Sequence, residues 1–246
     1  MNFLEKGVPF PPRPALVLAV VFYGLFFFLT FSVTTNAPWV APFNDGVAAA
    51  IQSLRNDALN PIVIGITSLA NPLPTCMLII AILIILGFRR MWDDFIFVTG
   101  NIVIGEALFA LAKVLCAIPR QEGANIIDMP LSYTFPSSHT ASAILIFSLI
   151  AMLLVCYFRQ KKLPSALSVV VFVVLIAFAA LIGLSRIYVG VHLGTDVLGG
   201  WLLAGAWTIP AVAWFVKQYP IERFFGGNDP YHIETPNATG RTKTHG

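Results

Sequence analysis

Long apolar stretches, each closed by a short polar cluster, follow one another from residue 15 to residue 216. Ala15–Val33 contains no charge and predicts a first membrane-crossing helix, since about 20 apolar residues span the hydrocarbon. A cleaved signal peptide is the competing reading, but the run exceeds the usual apolar core of a leader and further spans follow. From Asp45 to Leu59 the pattern turns amphipathic, with Val47, Ile51, Leu54 and Ala58 on one side and Gln52, Arg55 and Asn56 elsewhere. This predicts a helix lying along the membrane surface. Ala58–Phe88 is uncharged but is interrupted by Asn71, Pro72 and Pro74, so the second span begins either at Pro61 with a kink or near Leu73. The third is expected from Phe95 to Cys116, the fourth from Ser137 to Phe158, the fifth from Ser165 to Leu184, and the sixth from His192 to Val216 with a kink at Pro210. The runs lack the short alternation of a membrane barrel. The expected fold class is all-α, six transmembrane helices in one bundle over residues 1–216, with residues 217–246 a polar, disordered tail.

Composition agrees with a membrane chain: 57% of the residues are hydrophobic and 11% charged, against about 25% charged in soluble domains. The net charge of +3 has a topological origin. Lys6, Arg13, Arg89, Arg90, Arg159, Lys161, Lys162, Lys217, Arg223, Arg241 and Lys243 all fall at one end of the six spans, which the positive-inside rule makes cytoplasmic, together with both termini. Such a distribution gives no reason to expect a nucleic-acid partner. Cys76, Cys116 and Cys156 match no metal-ligand spacing and read as small core residues. Arg55 reads as a solvated residue of the surface helix. Lys113, Arg120 and Arg186 remain, at the outer ends of spans, and need a local explanation.

All three belong to segments that reach the outer boundary, where two histidines also lie. The segment SRIYVGVHLGTD, Ser185–Asp196, holds Arg186, His192 and Asp196 between two apolar runs. Were His192 to open the following helix, it would share a face with Asp196 four residues on, and a carboxylate there fixes the imidazole tautomer. The plainer alternative is a pair that caps a helix end. KVLCAIPR, Lys113–Arg120, and FPSSHTAS, Phe135–Ser142, reach the same outer boundary. Cations, two histidines, hydroxyls and one carboxylate therefore converge in a chain otherwise poor in them, which suits phosphoryl transfer. Arginine and lysine hold phosphate oxygens. Ser137 and Ser138, following Pro136 at a helix start, would offer backbone N–H groups to an anion. His139 is placed to protonate a departing oxygen while His192 attacks phosphorus. Glu106, two turns inward from Lys113, reads as a packing or cavity residue, and Ser185 as one that caps or orients Arg186.

The ordered set Lys113, Arg120; Pro136, Ser137, Ser138, His139; Ser185, Arg186, His192, Asp196 resembles the type 2 phosphatidic acid phosphatase superfamily. The resemblance implies that His192 is the nucleophile, forming a phosphohistidine and oriented by Asp196. It implies that His139 is the general acid, that Lys113, Arg120, Ser137 and Arg186 bind phosphate, and that neither metal nor cofactor is required. Two positions depart from the family pattern: Gln121 follows Arg120 where proline is expected, and Ser138 stands where glycine is expected. The expected protein is a lipid phosphatase working at the outer face of the plasma membrane on a lipid phosphate or diphosphate. Undecaprenyl diphosphate is the first choice, with phosphatidylglycerophosphate, phosphatidic acid and diacylglycerol diphosphate open, as is transfer of the phosphoryl group to another lipid. Protein partners stay open. Two other classes compete: an anionic-lipid transporter or binding protein, which has no use for a His192–Asp196 pair, and a vanadate-dependent peroxidase, against which the six spans argue.

Overall fold

The computed structural model describes residues 11–120, 125–129 and 132–218. All elements among them are helices: α1 Arg13–Thr34, α2 Val40–Gln52, α3 Leu59–Ser68, α4 Pro72–Phe88, α5 Trp92–Cys116, α6 Ser138–Gln160, α7 Ser165–Tyr188 and α8 Gly194–Gln218. Five are long and apolar enough to cross a membrane, and α3 and α4, bent by 53° at the break between them, meet the same measure only when taken together as one broken span. The bend sits where the prolines predict it. Asn71 is extended and Pro72 occupies the first turn of α4, where its missing N–H costs nothing.

The surface helix is displaced from its expected bounds, ending at Gln52 instead of Leu59. The Asn56 side chain explains the break, because its Oδ1 accepts the N–H groups of Ala58 (3.1 Å) and Leu59 (2.8 Å) and so starts α3 afresh. Helix α8 runs on through Pro210. Cys156 is buried as expected, whereas Cys76 is exposed on α4 and Cys116 is half-buried. Lys6, Gln121 and the segment 219–246, with Arg223, Arg241 and Lys243, lie outside the described residues.

Helix α6 is the centre of the bundle, packed against α5, α7 and α8, while α1 lies along α8. Its inward face, including Ala141, Leu145, Leu149 and Met152, is buried. Phe27, Phe28 and Phe31 of α1 and Ile80, Ile84 and Ile85 of α4 point outward, where lipid tails are as apolar as they are. Water expulsion therefore does little to hold these helices together, and close packing through small residues must. A methyl on Gly200 would stand 2.7 Å from the Ser137 carbonyl oxygen, and one on Gly199 2.6 Å from the Phe135 ring. These two glycines let the segment 135–137 lie directly on α8. Gly190, at φ 86°, reverses the chain after α7. The turn delivers His192 to the head of α8.

Candidate active site

Residue His192 lies in the turn two residues before α8, not on the helix. Its contact with Asp196 forms all the same, Nδ1 to Oδ2 at 3.1 Å, with both side chains essentially inaccessible. The pairing follows from the turn: the Arg186 carbonyl accepts the N–H groups of Val191 (3.2 Å) and His192 (3.3 Å), which hangs the imidazole over the first turn of α8. The Oδ2 of Asp196 also accepts the Leu193 N–H at 2.9 Å and the Thr134 hydroxyl. A carboxylate so held accepts a hydrogen bond from Nδ1–H, which fixes that tautomer and leaves the lone pair on Nε2. That Nε2 is buried and has no hydrogen-bond partner among the described residues. Burial pushes the imidazole down to about 4, against the raising effects of the Asp196 hydrogen bond and charge, so it is neutral at physiological pH.

Three cations surround this pair. Lys113, in the last turn of α5, donates to the Tyr133 carbonyl at 2.7 Å. Arg120 donates from Nε to the Ser132 carbonyl at 2.8 Å and from its terminal nitrogens to the Val191 carbonyl and, at 3.4 Å, to Ser132 Oγ and the Tyr133 carbonyl. Burial draws its guanidinium below the ordinary range while Asp196 opposes the shift; it remains a cation. Arg186, 2% exposed, donates to Thr67 Oγ1 at 2.9 Å, and its Nε is buried with no partner among the described residues. Lys113, Arg120, Arg186 and His192 all lie within electrostatic reach of His139, and Lys113 within reach of Asp196. Hence the three sequence segments meet in one place.

Segment 134–140 behaves differently from its expectation in one respect. The Ser137 N–H is spent on the Asp196 carbonyl at 3.0 Å, and its hydroxyl accepts from Thr140 at 2.9 Å. Ser137 thus ties α6 to α8, and the free first-turn N–H groups begin at Ser138. His139 stands at a groove of about 240 Å³ lined by Leu69, Pro74, Leu78, Ser142, Phe147 and Phe178. Ser185 donates to the Ile182 carbonyl of its own helix at 2.6 Å. Glu106 interacts with Ser142 and not with Lys113.

Four supporting residues escape a reading by motif. Thr134 holds Asp196, and Thr67 of α3 holds Arg186. Arg55 is not a solvated bystander: it donates from Nε (2.8 Å) and a terminal nitrogen to the Tyr188 carbonyl, lies over the Tyr188 ring, and is joined by Gln52, which donates to the Ile187 carbonyl at 3.1 Å. Together they cap the exposed carbonyls at the end of α7. Burial lowers the Arg55 pKa and Tyr188 raises it. Only Thr134, a hydroxyl just before the Phe-Pro-Ser-Ser-His run, carried a hint of its role.

An apolar helical bundle whose carboxylate-bound imidazole lies within reach of several cations suits a protein that handles a phosphorylated group. A sequence model of the PAP2 superfamily matches residues 77–220, and the chain belongs to that family. It is 30% identical over 193 residues to phosphatidylglycerophosphatase B of Bacillus subtilis (strain 168), a match covering 75% of this chain and 88% of that protein. The crystal structure of a transmembrane PAP2-type phosphatidylglycerolphosphate phosphatase from Bacillus subtilis superposes with a TM-score of 0.69 at 29% identity, covering 81% of this chain and 96% of that one. The protein is a PAP2-type membrane lipid phosphatase.

Proposed function

We propose that this phosphatase removes the terminal phosphate from phosphatidylglycerophosphate at the outer face of the plasma membrane, through a phosphohistidine on His192. The observation that carries the chemistry is the divided imidazole: Nδ1 bound to Asp196, Nε2 buried and unpartnered, three cations around it. A neutral lone pair beside positive charge suits attack on a dianionic phosphate. In the first step Nε2 forms the N–P bond as the P–O bond to the lipid breaks, and His139 gives its proton to the departing oxygen. Water then attacks phosphorus, His139 takes its proton, and the N–P bond breaks to release inorganic phosphate. Lys113, Arg120 and Arg186, with the N–H of Ser138, hold the equatorial oxygens. Ser137 fixes α6 against Asp196.

The choice of lipid rests on the two similar Bacillus proteins, whose names specify phosphatidylglycerophosphate; they support it ahead of undecaprenyl diphosphate. The outer face rests on the basic residues Arg89, Arg90, Arg159, Lys161 and Lys162, which lie at the opposite end of the spans from the site. Phosphate release from detergent-purified protein, with a chelator present, tests the reading against phosphatidylglycerophosphate, undecaprenyl diphosphate, phosphatidic acid and diacylglycerol diphosphate. Fastest turnover on the first, absent in His192→Ala, is expected. Faster turnover of undecaprenyl diphosphate would overturn the substrate, and equal release by the variant would overturn the chemistry. A cysteine placed at Asp128, which is exposed, should react with an impermeant label on intact cells.

A further inference from the structure

Helix α3 contributes one buried hydroxyl to the site, Thr67, 1% exposed. Its Oγ1 accepts from a terminal nitrogen of Arg186 across 119 positions of sequence. Nothing else among the described residues explains how Arg186 is oriented: no carboxylate lies within salt-bridge distance of it, and its Nε is buried without a partner. A guanidinium is planar, so a bond at one terminal nitrogen, with its stem packed in α7, sets the direction of the whole fork. The chemical character of that anchor matters. A carboxylate at the same place would neutralise the arginine and compete with phosphate oxygens for its donors, whereas a hydroxyl orients the group and leaves its charge uncompensated.

We propose that Thr67 is a positioning residue for phosphate binding, a neutral anchor that aims the Arg186 fork at the anion without discharging it. The proposal rests on the reading of Arg186 as a phosphate ligand. Its effect is on affinity for the anion itself, so it is measured with inorganic orthovanadate, a phosphate mimic, by titration calorimetry on the full chain in detergent. Thr67→Val keeps the shape of the side chain and removes the acceptor; Thr67→Ser keeps the acceptor and removes a methyl. Orthovanadate should bind Thr67→Val about 10-fold more weakly than the wild type, the usual worth of a hydrogen bond to a charged group. Thr67→Ser should restore binding to within about 3-fold, and the thermal midpoints of the two variants should not track this order.

Wild-type affinity in Thr67→Val would overturn the proposal. So would equal weakening in Thr67→Ser, since that marks a packing role. Lipid hydrolysis by the wild type is read separately: Thr67-dependent orthovanadate binding without any lipid turnover would keep the positioning role and remove the hydrolase reading. Lipid turnover with an indifferent Thr67 would do the reverse. A wild type that binds no orthovanadate would overturn the positioning role, whatever its lipid turnover.

Discussion

The two arms of the site are built in opposite ways. On the His192 arm the polar bonds converge on one residue: Asp196 accepts from the imidazole, from the Leu193 N–H and from Thr134, and its carbonyl takes the Ser137 N–H. On the cationic arm, Lys113 and Arg120 spend donors on the main-chain carbonyls of Ser132, Tyr133 and Val191. The first arm is set before a substrate arrives, as catalysis by prearranged dipoles requires. In the proposed mechanism the second exchanges main-chain oxygens for phosphate oxygens when one binds. Rigid chemistry and exchangeable grip are thus assigned to different elements, α8 with segment 134–137 on one side and the α5 end with segment 132–133 on the other.

If this division is right, damage to the two arms should differ in kind as well as size. Asp196→Asn should lower kcat by about 10²- to 10⁴-fold, because the amide no longer fixes the Nδ1–H tautomer, while orthovanadate affinity changes little. A loss confined to KM would contradict the division. Arg120→Ala should cost about 10- to 100-fold in kcat/KM, expressed largely in KM and in orthovanadate affinity, through loss of a charged donor. The smallest effect concerns pH. Because burial holds His192 at about 4, the imidazole stays neutral as pH falls through the ordinary histidine range and is protonated only near 4. With the phosphate's own ionisation divided out, kcat/KM should therefore show no acid-side loss from His192 down to about pH 5. An enzyme limb near 6.5 would mean that the imidazole is less secluded than the fold makes it.

Much of this arrangement is readable in the chain before folding. Uncharged runs announced the spans, and Asn71, Pro72 and Pro74 announced the bend between α3 and α4. The three charged segments could be assigned to one boundary because their cations broke the topological bias. What could not be read was contact across helices. Arg55 reaches Tyr188, and Thr67 reaches Arg186, over more than a hundred residues, and neither stands in a pattern that periodicity detects. The Ser137 N–H looked free for an anion because a helix start normally leaves it so. Only the close approach permitted by Gly199 and Gly200 brings Asp196 near enough to take it. The same limits placed His192 on α8 when it sits in the turn before it.

The central claim is that phosphorus passes through the secluded nitrogen of His192. The direct test is to quench the purified protein during turnover of phosphatidylglycerophosphate, digest it, and locate phosphate by mass spectrometry under alkaline conditions that preserve phosphohistidine. The account predicts an acid-labile phosphate on the peptide containing His192, lost in His192→Ala and accumulating in a variant slowed in the water step. Active turnover with phosphate on His139 instead, or with His192→Ala still forming an acid-labile phosphopeptide, would contradict it.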